Sequence, residues 1–85
     1  MNLNQIRKKI NIIDKQIVRL IAKRQSYMPA VGDYKKKNNL PLYQPKREAE
    51  IVKSQKTFAK TVGVDASLIE KIFHLIFKNS RKIQK

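Results

Sequence analysis

The stretch "LNQIRKKINIIDKQIVRL", residues 3–20, decides the fold of this 85-residue chain. Six of its eight large apolar residues recur at alternating steps of three and four, the spacing of one face of an α-helix; they are Leu3, Ile6, Ile10, Ile13, Ile17 and Leu20. The next positions on this face hold Arg24, Tyr27, Val31 and Lys35, before Asn38 and Asn39 mark an end. The sequence therefore predicts a first helix over about residues 3–38 that carries positive charge on the face it should bury.

Two more helices are predicted downstream. Pro45 suits the first position of a helix and Gly63 suits the position just past its end, and the apolar face between them comprises Ile51, Val52, Phe58, Ala59 and Val62. Asp65 is a good N-cap for a third helix that runs to the C-terminus, with an apolar face of Leu68, Ile69, Ile72, Phe73, Ile76 and Ile83. No strand-like alternation is present, so we expect an all-α fold with three helices in a single domain over residues 1–85.

The length of the first helix bears on the oligomeric state. A helix over residues 3–38 would span roughly 50 Å, whereas a compact domain of this size has a diameter of about 30 Å. A monomer would leave the apolar seam exposed, which predicts a homodimer. Pro29 leaves two outcomes open, a long helix kinked near Gln25 or two shorter helices folded back into a monomeric four-helix bundle. The lack of turn-forming residues beside Pro29 favours the kink.

Composition narrows the function classes. The chain has no cysteine, a single histidine (His74) and six acidic residues, so neither a disulfide framework nor a metal site is expected. No apolar run approaches the roughly 20 residues of a membrane span, and the N-terminus does not resemble a signal peptide, so a cytoplasmic protein without membrane partners is expected. Twenty Lys and Arg against six Asp and Glu give a net charge of +14. This excess favours nucleic acid, acidic lipid or a small anionic metabolite as partner.

Several polar side chains fall on faces that the helices should bury: Arg7, Arg24, Lys35, Arg47, Glu48, Ser80 and Gln84. Any one of the cations could extend its head group to solvent while its stem is buried. Together, however, four cations converge with one acid, and buried charge is costly unless it is paired. The pattern therefore predicts an internal pocket for an anionic ligand.

Three motifs carry a resemblance to a known family: "LNQIRKKINIIDKQIVRLIAKR", "VGDYKKKNNLPLYQPKREAEI" and "IFHLIFKNSRKIQ". In order, in spacing and in helix placement they resemble the all-helical chorismate mutases. A lysine follows Arg24 by eleven residues, and "RE" follows that lysine by twelve. The resemblance covers nearly the whole chain.

The resemblance implies an intertwined homodimer that rearranges chorismate, a small dianion, to prephenate without a cofactor or metal. It implies that Arg7 enters the site from the partner chain and that Arg24 and Arg47 bind carboxylates, with Ser80 contacting a carboxylate as well. Lys35 and Gln84 would bind the ether oxygen, and Glu48 would accept from the ring hydroxyl. The residues implied as catalytic are Lys35, Gln84, Arg24 and Glu48.

Some residues depart from the family pattern, and other functions stay open. Gln44 stands where relatives often have an aspartate, which weakens the helix cap and alters a contact to the substrate hydroxyl, and Pro29 is unusual in the long helix. An isochorismate pyruvate-lyase, an aminodeoxychorismate mutase and a non-enzymatic basic nucleic-acid-binding module are the alternatives. Nucleic acid is disfavoured because aromatics are only 7% and not interleaved with the basic runs. Docking on another enzyme of the shikimate pathway is left open.

Overall fold

The computed structural model describes all 85 residues. It contains four helical segments and no strand: α1 (Leu3–Gln25), α2 (Met28–Lys37), α3 (Pro45–Thr61) and α4 (Ala66–Gln84). The predicted all-α fold is confirmed. None of the helices combines the length and the apolar character that a membrane span requires.

The long N-terminal helix predicted over about residues 3–38 is present, but a short break at Ser26 and Tyr27, next to the predicted kink at Gln25, divides it into α1 and α2. The physical reason is Pro29, which has no N–H for the carbonyl of Gln25. The N–H of Tyr27 instead bonds to the Arg24 carbonyl at 3.3 Å in a tighter turn. Pro29 then falls in the first turn of α2, where its missing N–H leaves no helical bond unmade.

The two segments extend the molecule rather than fold back on each other. The chain is 55 Å long in its largest dimension, whereas α1 alone spans about 35 Å. The long N-terminal rod therefore persists through the break at Gln25, which is where a kink was predicted.

The helix ends largely follow the sequence signals. Asn2 caps α1 in a reciprocal pair with Gln5, and the N–H of Ser67 donates to Asp65 Oδ1 at 2.9 Å to cap α4. Gly63 adopts a positive φ of 75° after α3, as expected of a glycine past a helix end. Gln44 precedes Pro45 without a side-chain cap bond, in keeping with the weaker cap expected there.

The core lies where α3 packs on α4 and α2 packs on α4. Its buried apolar residues are Val52, Ala59 and Phe77. Phe58, Val62 and Leu68 were predicted on buried faces but are exposed in the single chain, at 61%, 55% and 49%. Helical spacing identifies an apolar face but not how much of it a neighbouring helix covers.

The predicted seam of α1 is uncovered in the single chain. Residues 3–23 are all exposed, and the six seam residues from Leu3 to Leu20 are between 41% and 66% exposed. Monomeric proteins rarely leave such a contiguous apolar stripe in water.

Candidate active site

A cavity of about 380 Å³ lies beside the helical core, between the end of α1, the segments α2, α3 and α4, and the loop before α3. This volume is in the range of small-molecule sites. Seven of the eight predicted site residues line it: Arg24, Lys35, Gln44, Arg47, Glu48, Ser80 and Gln84. Arg7 does not line it, because Arg7 lies on the exposed part of α1.

Arg24 enters the cavity from the last turn of α1. Its Nη1 donates to Gln25 Oε1 at 2.8 Å and to Ser80 Oγ at 3.1 Å, both neutral acceptors. Burial, and secondarily the charge of Arg47, lower the pKa of Arg24, although an arginine stays protonated at neutral pH. No carboxylate pairs with it. Arg24 is therefore a partly desolvated cation without a counter-ion.

Arg47 lines the same cavity from the first turn of α3. Its ion-pair partner is Glu50, one turn further along the helix, at 3.7 Å, and both side chains are well exposed. A pair of this kind contributes little free energy. Because breaking this ion pair costs little free energy, Arg47 is available to an anion that binds next to Arg24.

Lys35 reaches the cavity from α2. Its Nζ donates to the Leu42 carbonyl at 2.9 Å and to Gln84 Oε1 at 2.5 Å. Burial lowers the pKa of Lys35, and the charge of Glu48 partly offsets that effect. An ammonium held by neutral carbonyl oxygens keeps a positive field directed into the cavity.

Gln84, the last residue of α4, is held by a close approach between helices. A β-carbon added at Gly32 would lie 2.2 Å from the main-chain oxygen of Gln84, so only glycine fits at this point of α2. The side-chain Oε1 accepts from Lys35, while Nε2 donates to Met28 Sδ at 3.6 Å. The predicted donor is thus occupied by a weak sulfur contact that a better acceptor can replace.

Ser80 is buried on α4 and contacts the end of α1. Besides accepting from Arg24, its Oγ accepts from Gln25 Nε2 at 2.9 Å. Gln25 Nε2 also donates to Asn79 Oδ1 at 3.0 Å. Sequence reasoning missed Gln25 as the residue that orients Arg24 and Ser80; the only signal was a polar side chain placed directly before the helix break.

Arg81 is a second residue that sequence reasoning missed. Its Nη1 lies 2.5 Å from Glu48 Oε2, and its guanidinium carbon lies 5.0 Å from the centre of the Tyr43 ring. The available signal was its helical spacing, four residues after buried Phe77 and three before Gln84. The cavity therefore holds four cations of this chain against one carboxylate.

Comparison with known proteins identifies the family. The family model for chorismate mutase type II matches residues 6–85, so the chain belongs to this family. A protein of Methanocaldococcus jannaschii named chorismate mutase is 35% identical over 98% of this chain and 84% of its own length. A solved structure from Pyrococcus furiosus, titled a conserved hypothetical protein, superposes with a TM-score of 0.78 at 34% identity, covering 98% of this chain and 95% of that one.

Longer relatives match as well. The T-protein of Enterobacter agglomerans is 35% identical over 92% of this chain, but this chain spans only about a fifth of that protein. The same share holds for the T-protein of Haemophilus influenzae. The resemblance stated from the sequence motifs is confirmed at the level of the family.

Proposed function

We propose that this chain catalyses the rearrangement of chorismate to prephenate, as one domain over residues 1–85. The observation that carries the proposal is the pair Arg24 and Arg47, two neighbouring cations at one cavity, the first without any carboxylate partner. A dianion would supply the missing counter-charge. Guanidinium groups bind carboxylates through two parallel hydrogen bonds, so the pair favours a substrate with two carboxylates.

The chemistry fits the kinds of residue in the cavity. The rearrangement is pericyclic, so it needs neither a nucleophile nor a proton transfer. The site must hold a flexible dianion in its compact reactive shape, which lowers the entropic part of the barrier. It must also stabilise the negative charge that grows on the ether oxygen as the carbon–oxygen bond breaks.

Lys35 and Gln84 are the groups that we assign to the ether oxygen. The contact of 2.5 Å between Lys35 Nζ and Gln84 Oε1 keeps the two head groups adjacent. Gln84 Nε2 exchanges its weak contact with Met28 Sδ for the ether oxygen, and the ammonium of Lys35 donates to the same atom. Two fixed donors in a partly desolvated site act as an oxyanion hole does.

Glu48 is the group that we assign to the ring hydroxyl, with Gln44 next to it on the cavity wall. A carboxylate accepts from a hydroxyl, which favours chorismate over substrates that carry a different group at that position. Ser80, held by Arg24 and Gln25, is assigned to a substrate carboxylate. Isochorismate and aminodeoxychorismate are the competing substrates to test.

The working form that we propose is a homodimer in which Arg7 of one chain completes the site of the other. The exposed seam of α1 supports this, because pairing two such seams removes a long apolar stripe from water. Arg7 lies on the same exposed helix and reaches no part of its own chain's cavity. The cytoplasmic location, the absence of nucleic-acid partners and docking on another shikimate-pathway enzyme stay predictions.

The experiment is a turnover assay on the purified chain. Loss of chorismate is followed by ultraviolet absorbance and the product is identified by chromatography, with isochorismate in a parallel reaction. Arg24→Ala should abolish turnover, whereas Arg19→Ala, an arginine on the side of α1 away from the seam, should not. Release of pyruvate from isochorismate, without prephenate from chorismate, would assign the pocket to the lyase reaction instead.

A further inference from the structure

We infer that Arg81 is a positioning residue for Glu48: it fixes one carboxylate oxygen so that the other is presented to the ring hydroxyl of the substrate. The inference rests on the proposed function. It assigns a task to the one cation in the cavity that neither the motif pattern nor the chemistry of the dianion requires.

The geometry of the pair is specific. Arg81 Nη1 donates to Glu48 Oε2 at 2.5 Å, and this is the only side-chain hydrogen bond that the Glu48 carboxylate accepts. Glu48 Oε1 has no partner within the chain. Glu48 lies in the first turn of α3 and Arg81 in the last turns of α4, so the contact joins the two helices across the cavity wall.

Arg81 is itself held in place by a second contact, to Tyr43. Its guanidinium carbon lies 5.0 Å from the centre of the Tyr43 ring, a cation–π distance. Tyr43 belongs to the loop before α3, so Arg81 contacts this loop as well as α3. An arginine held on two sides has little freedom to turn toward a ligand.

The pairing also changes the charge that the cavity presents to a substrate. Glu48 is a carboxylate on the wall of a cavity proposed to receive a dianion, and an unpaired carboxylate there would repel the substrate. Arg81 cancels that repulsion and leaves a lone pair free on Oε1. The two side chains are 31% and 20% exposed, so solvent screens them less than a surface pair.

The same geometry distinguishes Arg81 from the carboxylate-binding arginines. The side-chain partners of Arg24 are neutral, so its charge is available to a ligand. The charge of Arg81 is already paired with the carboxylate of Glu48. We therefore expect Arg81 to act through Glu48 and not by direct contact with a substrate carboxylate.

A double-mutant cycle on the 85-residue chain tests the inference. Arg81→Met should lower kcat/KM for chorismate by about 10- to 100-fold, the usual effect of losing a hydrogen bond to a charged group. Introduced into Glu48→Gln, the same substitution should change kcat/KM by less than about 3-fold, because the carboxylate that it serves is already gone. Arg19→Met is the matched control, and thermal unfolding of every variant separates folding from activity.

A second readout distinguishes positioning from general stabilisation. Chorismate is compared with an analogue that lacks the ring hydroxyl. The ratio of kcat/KM for chorismate to kcat/KM for the analogue should fall in Arg81→Met but persist in Arg19→Met. Arg81→Lys, which keeps the charge, should retain more of that ratio than Arg81→Met and serves if Arg81→Met does not fold.

If the unmodified chain turns over chorismate, two results would overturn the role inferred for Arg81 and leave the proposed function intact. One is an additive cycle, in which Arg81→Met costs as much in Glu48→Gln as in the unmodified chain. The other is an equal loss for both substrates. Failure of the unmodified chain to turn over chorismate would instead overturn the proposed function, and the inference with it.

Discussion

The ammonium of Lys35 lies 2.5 Å from the side-chain oxygen of Gln84, and this contact joins α2 to the final residue of α4. Both groups stand in a cavity whose remaining charges are three arginines and one glutamate. A substitution at either residue removes a hydrogen-bond partner of the other, which makes the pair the first place to test the proposed chemistry.

Lys35→Ala removes the charged donor proposed for the ether oxygen. We expect kcat to fall by about 10²- to 10³-fold, roughly 3–4 kcal/mol of barrier, as for other donors to a developing oxyanion. Steady-state kinetics on chorismate measures the loss. Lys78→Ala, at an exposed position of α4, is the control. Near-normal turnover in Lys35→Ala would refute the assigned role.

The pH dependence follows from the amide of Gln84 and from Lys35, a partly buried lysine. The amide of Gln84 donates at any pH, so kcat/KM should be flat between about pH 6 and 8. Burial lowers the pKa of Lys35, so its charge, and the rate with it, should be lost on the alkaline side, before an ordinary lysine would titrate. A steep loss between about pH 6 and 8 contradicts this account.

Gln84→Glu provides the matching variant. A glutamate donates only when it is protonated, so this variant should gain activity as the pH falls toward the titration of its carboxyl, whereas the unmodified chain should not. Parallel profiles in the two proteins would show that residue 84 donates no hydrogen bond in the transition state.

Gly32→Ala should displace Gln84. The new β-carbon would meet main-chain atoms of Gln84 at 2.2 Å and beyond, and such overpacking costs about 1–3 kcal/mol, more than the roughly 1 kcal/mol that alanine gains over glycine in a helix. We expect both the melting temperature and kcat to fall. Gly63→Ala is the control, since its positive φ lowers stability with nothing near the added carbon, and kcat should persist there.

The seam of α1 predicts a substitution that separates the chains. Ile13→Lys places a charge on the seam and should give a monomer with little activity, measured by sedimentation and turnover. Ile12→Lys is the matched control, because Ile12 is similarly exposed in the single chain, at 60% against 53%, but lies off the seam. If sedimentation gave the same oligomeric mass for the two variants, the result would count against the seam as the interface.

Arg7 is tested by mixing two inactive proteins. Arg7→Ala and Arg24→Ala each disable both sites of their own dimer. If Arg7 acts across the interface, a mixed dimer regains one intact site, and an equal mixture after subunit exchange should recover about a quarter of the normal activity. No recovery, with exchange verified by mass, would place Arg7 in its own chain's site or outside any site.

The sequence predicted the fold class and the group of cavity residues because both follow from helical spacing. Lys35, Glu48 and Gln84 fall on faces that point inward, and that spacing survives the break at Ser26. The break itself was predicted only as a kink. The free-energy cost of Pro29 within a helix does not determine whether the helix bends there or ends and starts again.

Contacts between helices could not be predicted in the same way. Arg81 and Glu48 lie 33 residues apart, and their pairing depends on how α3 lies against α4, which spacing within one helix does not specify. Gln25 was missed for the same reason, since its partners are on α4. The exposure of Phe58 reflects how much of α3 its neighbour covers, another property of packing between elements.

The bare seam of α1 has a kinetic consequence. If each site draws a side chain from two polypeptides, catalysis depends on an association equilibrium, and rate per milligram of protein is not a constant of the enzyme. On serial dilution the specific activity should fall once the chains separate, and the concentration at half-maximal activity then reports the dissociation constant of the dimer.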